Sequence, residues 1–190
     1  EINSTNFKTK DFEWKTTFNL SHNTNKVVNL DGDQTEIVSG TQIHKIGHSY
    51  RTFYMIEFAG INPENGNPQF YKNDLLEDGS YSKEITEKAS EAKSIMLDKH
   101  AEPNITGGLY NSFRYKWLDL SFLFNYQFGG WSYDSWAQKT EHGGYDLEAN
   151  IPTYYADSWK KPGDVTKYEQ FYEKSSSVAM HKITNSRRLH

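Results

Sequence analysis

The chain has 190 residues, a net charge of −4 and no cysteine, which excludes disulfides and thiolate metal sites and argues against nucleic acid as a partner. Only 35% of it is apolar, yet 15% is aromatic, with 13 Tyr, 11 Phe and 5 Trp. No window approaches about eighteen consecutive apolar residues, so no transmembrane helix is expected, although membrane strands would leave no such signal. Sparse apolar content with concentrated aromatics suits a transmembrane barrel, whose lumen is polar and whose aromatic residues gather at the interfaces, and it suits a glycan-binding sandwich equally.

Nothing near Glu1 resembles a signal peptide, which is expected of a mature chain or an internal fragment. Glu1 to Ser4 read as the tail of an earlier strand, and Asn6 to Asp11 as a turn. From Phe12 the chain alternates, with Phe12, Trp14, Phe18 and Leu20 on one parity and Glu13, Lys15, Thr17, Asn19 and Ser21 on the other. A period of two places these sets on opposite faces of a strand. The polar stretch from Asn23 to Ser49 reads as loop. Within it Asp31, Asp33 and Glu36 lack the glycine and the downstream carboxylate of a calcium loop, and a solvated turn is the simpler reading. His44 and His48 would share a face only on a helix, which this region does not predict.

Tyr50 to Ala59 predicts a strand, NPENGNP (Asn62 to Pro68) a turn, and Gln69 to Tyr71 a return strand. From Lys83 to Leu97 the spacing of Ile85, Ala89, Ala92 and Met96 predicts a short surface helix. Leu109 to Gly130 then forms the most regular pattern in the chain. Leu118, Leu120, Phe122, Phe124, Tyr126 and Phe128 share one parity, and Asp119, Ser121, Asn125 and Gln127 share the other with only Leu123 out of place. Leu109, Phe113 and Tyr115 alternate with Tyr110, Ser112 and Arg114 in the same way, so a hairpin turning at Lys116 and Trp117 is expected. Each arm of about ten residues exceeds the usual soluble strand of about five or six and matches the roughly nine to eleven that cross a bilayer. Periodicity alone fits a membrane barrel and a long soluble sandwich alike.

After Gly129 and Gly130 come about sixty residues without sustained alternation, an unusual length for a structureless loop. They are too aromatic for disorder, carrying Trp131, Tyr133, Trp136, Tyr145, Tyr154, Tyr155, Trp159, Tyr168, Phe171 and Tyr172. Flat rings at low entropic cost suit loop packing, a protein partner or a stacked ligand. The chain ends at Arg187, Arg188, Leu189 and His190 without a closing strand, as a fragment would.

Four stretches, FEWKTTFNLSHNTNKV (Phe12 to Val27), FYMIEFAGINPENGNPQFYK (Phe53 to Lys72), GGLYNSFRYKWLDLSFLFNYQFGG (Gly107 to Gly130) and DSWKKPGD (Asp157 to Asp164), occur in the order and approximate spacing of one family. In them the chain resembles the C-terminal half of the SusC/RagA family, the TonB-dependent outer-membrane transporters of Bacteroidota. It departs from the family at Trp117, where a glycine is common after the Tyr-Lys pair.

The resemblance implies an all-β fold: residues 1–190 as an antiparallel segment of one transmembrane β-barrel of the large plugged class, about 22 strands, with plug and remaining strands absent. It further implies a periplasmic Lys116–Trp117 turn and a long extracellular loop region over residues 129–190. Leu118, Leu120, Phe122, Phe124, Tyr126 and Phe128 would face lipid, and Arg114, Asp119, Asn125 and Gln127 the lumen. Trp131, Tyr133, Trp136, Tyr154, Tyr155 and Trp159 would serve loop packing, partner contact or ligand contact. Between Asn23 and Leu109 an even number of crossings must lie, either two supplied by Tyr50 to Ala59 and its return strand, or none.

The function implied is a nutrient importer in the outer membrane of a Gram-negative, Bacteroidota-like cell. It would take up oligosaccharides or peptides with a SusD-like lipoprotein, driven by TonB through an N-terminal region outside this chain. Two other readings stand beside it: a glycan-binding β-sandwich, soluble or surface-attached, and a SusC-like barrel with a structural role in a larger outer-membrane complex. No nucleophile elbow, HExxH spacing or isolated carboxylate pair occurs, so neither an enzyme nor a cofactor is expected.

Overall fold

The computed structural model of the protein describes residues 1–141, 143, 150–172 and 185–190. Its long alternating segments become three antiparallel strands, β2 (Phe12–His22), β10 (Ile105–Tyr115) and β11 (Leu118–Phe128), and β1 (Ile2–Lys8), which extends through Asn6 to Lys8 where a turn was expected, pairs with β2 to give the order β1-β2-β10-β11. Strands β2, β10 and β11 each hold 11 residues. At about 3.4 Å per residue, each spans roughly 37 Å along its axis.

Register carries the alternation from strand to strand. Phe12, Trp14 and Phe18 of β2 lie opposite Tyr115, Phe113 and Leu109 of β10. These in turn lie opposite Leu118, Leu120 and Phe124 of β11. One face of these three strands is therefore mainly apolar, and the other carries Glu13, Lys15, Ser112, Arg114, Asp119, Asn125 and Gln127. Among the described residues nothing covers the apolar face: Leu118, Leu120, Phe124 and Phe128 are 53–61% exposed. A sandwich would bury that face against a second sheet, and the described residues supply none there.

The two tight turns, Thr9–Asp11 and Lys116–Trp117, lie side by side at one end of the sheet, joined by the Lys116 amide donating to the Asp11 carbonyl at 2.8 Å. Lys116 takes φ +53°, the left-handed conformation that a two-residue hairpin requires and that glycine would adopt more cheaply. The long connections leave from the opposite end.

Between β2 and β10 the chain crosses this sheet no further time. It builds two smaller sheets instead: β3 (Glu36–Ser39), β4 (Gln42–Lys45), β5 (Thr52–Ile56) and β9 (Ser94–His100) in the order β3-β4-β5-β9, then β6 (Phe58–Ile61), β7 (Pro68–Tyr71) and β8 (Ile85–Thr86). Of the two counts open in the sequence, two added strands or none, none joins the long sheet. The polar stretch from Asn23 to Ser49 contains the β3–β4 hairpin where only loop was expected, and the strand expected from Tyr50 to Ala59 breaks at Glu57, sending β5 and β6 into different sheets.

The helix expected from Lys83 to Leu97 is absent: β8, a short 3-10 turn at Ala89–Glu91 and β9 occupy that segment. Pairing decides this, because Ile95 and Met96 lie opposite Met55 and Tyr54, and burial of Ile95 and Met55 outweighs a helical spacing that includes an exposed Ile85. The α-helix among the described residues is α1 (Ser135–Thr140), started by Asp134, whose carboxylate accepts the Ala137 amide at 2.8 Å. The buried core lies outside the long sheet. It gathers Phe53 and Met55 of β5 with Leu189, and Leu97, Ala101 and Tyr133 pack around them.

Candidate membrane face and loop surface

The apolar face is tied into one layer by ring contacts. Trp14 stacks on Phe113 with centroids 5.6 Å apart, Phe113 on Phe122 at 5.9 Å, and Phe122 meets Phe124 edge-on at 5.3 Å. Phe18, Tyr126 and Phe128 continue it toward the end with the long connections. All six side chains of β11 expected to face lipid lie on this face.

Midway along it, sequence reasoning missed a polar insertion. Asn111, 7% exposed, accepts from the Trp14 indole at 3.0 Å and from the Thr16 hydroxyl at 2.7 Å, and Thr16 accepts from Asn6 at 2.6 Å. Four polar side chains thereby satisfy one another within an apolar surface, as a group removed from water requires. Parity places Thr16 and Asn111 on the apolar face, and that coincidence was the available signal.

On the opposite face Arg114 lies in register between Glu13 of β2 and Asp119 of β11, and donates to Glu13 at 2.9 Å. Glu13 also pairs with Lys8 at 3.1 Å and Lys15 at 3.2 Å. Its side chain is 10% exposed, so three cations converge on one carboxylate near the tight turns. Asn125 and Gln127 lie opposite Gly108 and Thr106, nearer the far end.

The loop rings divide by burial. Tyr155 is fully buried, packed between Tyr168 and Phe171 at 5.4 Å each, and burial holds its phenol far above the ordinary tyrosine range. Tyr133 packs beside the core and bridges to Leu189. Trp159 covers Gly66 and donates its indole N–H to the Pro63 carbonyl at 2.8 Å. Trp131 holds the Lys99 ammonium 3.9 Å above its ring. The most exposed loop rings among the described residues are Trp136 on α1, at 71%, Phe171, at 52%, and Tyr154, at 44%, whose hydroxyl donates to Glu141 at 2.9 Å. Trp131, Trp136 and Trp159 share no ring contact, so they form no single stacking platform. Tyr145 lies outside the described residues.

Arg187 was not singled out in the sequence. Its guanidinium lies between Phe58 and Tyr168, 5.5 and 5.4 Å from the ring centroids, and pairs with Glu141 at 3.4 Å. His44 stacks on Tyr50 at 4.7 Å instead of pairing with His48. Among the described residues no three His, Cys, Asp or Glu side chains are grouped as metal ligands.

No protein-family model matches the chain. It is similar to TonB-dependent receptor P3 of Formosa agariphila, at 32% identity over 144 residues covering 68% of this chain and 14% of that protein. The chain belongs among the TonB-dependent receptors. TonB-dependent receptor P39 of the same organism is 26% identical over 196 residues, covering 83% of this chain and 19% of that receptor. The chain thus spans 14% and 19% of the length of these two curated receptors. In fold it is similar to the RagAB peptide transporter, with a TM-score of 0.78 at 24% identity over 98% of this chain and 20% of that one. The RagAB peptide importer in its open-open state gives 0.78 at 23% identity, over 99% of this chain and 19% of that one. The SusC/RagA resemblance expected from the sequence is thus shown, and the segment is all-β, without a closed barrel among its described residues.

Proposed function

We propose that this chain is a part of the transmembrane barrel of an outer-membrane, TonB-dependent nutrient importer. The observation that carries the reading is the long sheet with its bare apolar face, two tight turns at one end and long connections at the other. A soluble protein rarely leaves so large an apolar surface uncovered, whereas a barrel strand presents such a surface to lipid and turns tightly on the periplasmic side. Strands of 11 residues also match a bilayer crossing. The outer edges of β1 and β11 pair with nothing among the described residues, as expected where further strands of the same barrel continue the sheet.

On this reading Leu118, Leu120, Phe122, Phe124, Tyr126 and Phe128 face lipid, and Arg114, Asp119, Asn125 and Gln127 line the lumen. Residues 129–190 form the extracellular loop region. Of the rings singled out in the sequence for contact, Trp136 and Tyr154 are the most exposed, suited to meet a SusD-like lipoprotein or a bound oligosaccharide or peptide. Trp131, Tyr133, Tyr155 and Trp159 serve chiefly to shape the loop from within. TonB acts through a segment outside this chain.

The test is fractionation and uptake with the full-length protein. Recovery from outer membranes only with detergent, together with lost uptake of oligosaccharide or peptide when the gene is deleted, is the expected result. Recovery in the soluble fraction overturns the membrane reading. An unchanged uptake profile with loss of an outer-membrane complex overturns import in favour of a structural role.

A further inference from the structure

The turn at residues 62–68 is built around a carboxylate from elsewhere in the chain. Asn62, Asn65 and Asn67 all donate side-chain N–H bonds to Glu87, which follows β8. Their amide oxygens are already engaged: that of Asn62 accepts the Glu64 amide at 2.9 Å, that of Asn65 the Asn67 amide at 3.0 Å, and that of Asn67 the Gln170 side chain at 2.9 Å. All three amides therefore turn N–H toward Glu87, which rules out an oxygen-only cation site and leaves an anion cradle filled by the protein's own carboxylate.

The outer side of the same turn receives the segment 150–172. The Trp159 indole and the Gly163 amide both donate to the Pro63 carbonyl, at 2.8 and 2.9 Å, and the Gln170 amide donates to the Gly66 carbonyl at 3.0 Å. Gly66, at φ +72°, lies directly under the Trp159 ring, 2.6 Å from where a Cβ would sit. The acceptors that hold the aromatic segment are thus carbonyl and amide oxygens of a turn that, besides its own Asn62–Asn67 and Gly66–Asn62 backbone bonds, is held from beneath by one charged group.

We infer that Glu87 is a positioning residue that orders the aromatic segment 150–172, which carries Tyr154 and Trp159, through the asparagine turn. Its consequence for partner or ligand contact rests on the import reading above. The ordering itself does not, so it is tested by local exchange rather than by uptake.

The experiment is segment-resolved amide hydrogen exchange on the full-length receptor in detergent, comparing wild type with Glu87→Gln and Glu87→Ala. The expected result is a rise of about tenfold or more in exchange over both 62–68 and 150–172, the scale set by losing hydrogen bonds to a charged acceptor. Residues 105–128 of the long sheet should be unchanged, which separates positioning from general destabilisation. Gln should behave like Ala, because an amide cannot accept from three donors at once. Exchange raised at 62–68 alone, or Glu87→Gln behaving as wild type, overturns the inference. Should both variants fail to assemble, Gln170→Ala with Trp159→Phe serves instead. Removing those two side-chain links, with the Gly163 and Gln170 backbone links left in place, should raise exchange over 150–172 and leave 62–68 protected, and an unaltered 150–172 likewise overturns it.

Discussion

The phenol ring of Tyr126 lies over Gly107, its cross-strand partner, and its hydroxyl donates to the Asn19 carbonyl at 2.8 Å. A Cβ at residue 107 would sit 2.3 Å from the Asn19 oxygen and 2.4 Å from the Tyr126 oxygen. A missing side chain on β10 is thus what lets a ring of β11 reach across to β2, joining three strands at the end where the long connections leave.

Replacing Gly107 by Ala should therefore cost about 1–3 kcal/mol, the usual range for an overpacked site. Gly108→Ala, where the nearest atoms are side-chain ends at 3.2–3.5 Å, should cost under about 1 kcal/mol. Urea unfolding of the full-length receptor in lipid vesicles checks the pair. Equal costs at the two positions would show that the ring does not depend on the gap beneath it.

The outward face of β11 makes a directional prediction. Phe124 is 61% exposed near the middle of an eleven-residue strand, so Phe124→Lys should lose roughly 2–4 kcal/mol if that level is mid-bilayer. Asn125→Lys, one residue on and facing the other way, should be nearly silent. Insertion and unfolding in vesicles measure both, and a reversed order would mean that the two faces are exchanged.

Asn111 offers a sharper test of the same surface. Its side-chain oxygen accepts from Trp14 and Thr16, so Asn111→Ala strands two donors in an apolar setting at about 1–3 kcal/mol. The double change Asn111→Val with Thr16→Val removes the acceptor and one of its two donors, leaving the Trp14 indole as the stranded donor, and should cost less than the sum of Asn111→Val and Thr16→Val. A double-mutant cycle reads the difference as coupling energy. Zero coupling would mean that water, not the network, satisfies these groups.

What the sequence exposed, and what it hid, follows from how far each signal reaches. The long sheet was legible because alternation from Leu118 to Phe128 persists with only Leu123 displaced, and because a two-residue gap at Lys116 and Trp117 sets the hairpin register. Strand β9 was hidden, since the spacing of Ile85, Ala89, Ala92 and Met96 imitates a helix and only the partner β5 decides otherwise. The hairpin β3–β4 was hidden by its brevity, four residues per arm in polar surroundings. For the candidate site, parity put Glu13 on the polar face, but its cations arrive from Lys8 beyond a bulge and from Arg114, 101 positions along the chain. Likewise the loop aromatics could be named but not divided into buried and outward rings, because burial depends on segments distant in sequence.

Acid should loosen the asparagine turn. Burial alone would raise the Glu87 carboxyl, but the hydrogen bonds from Asn67, Asn62 and Asn65 outweigh it and hold the group below its ordinary value of 4.5. A folded value below the unfolded one means that Glu87 contributes stability above about pH 4.5, lost as pH falls through the folded value. The exchange difference between wild type and Glu87→Gln over 62–68 should accordingly be constant from neutral pH to about pH 5 and shrink below it. A difference that grows on acidification would reverse the sign and with it the assigned hydrogen bonds.

Tyr155 and Trp136 separate packing from contact within the loop. Tyr155 is wholly enclosed by Tyr168 and Phe171, so Tyr155→Ala removes a filled volume and should lower stability by about 3–5 kcal/mol, the range for deleting a buried ring. Trp136 stands 71% exposed, and Trp136→Ala should leave stability within about 0.5 kcal/mol. If the outward ring meets a lipoprotein partner, the same substitution should weaken co-purification from solubilised outer membranes, with a loss of about 2 kcal/mol for a central aromatic anchor. Thermal unfolding and quantitative pull-down together read both halves. A Trp136→Ala receptor that keeps its full complement of bound protein would move the contact surface elsewhere, with Tyr154 as the next ring to change.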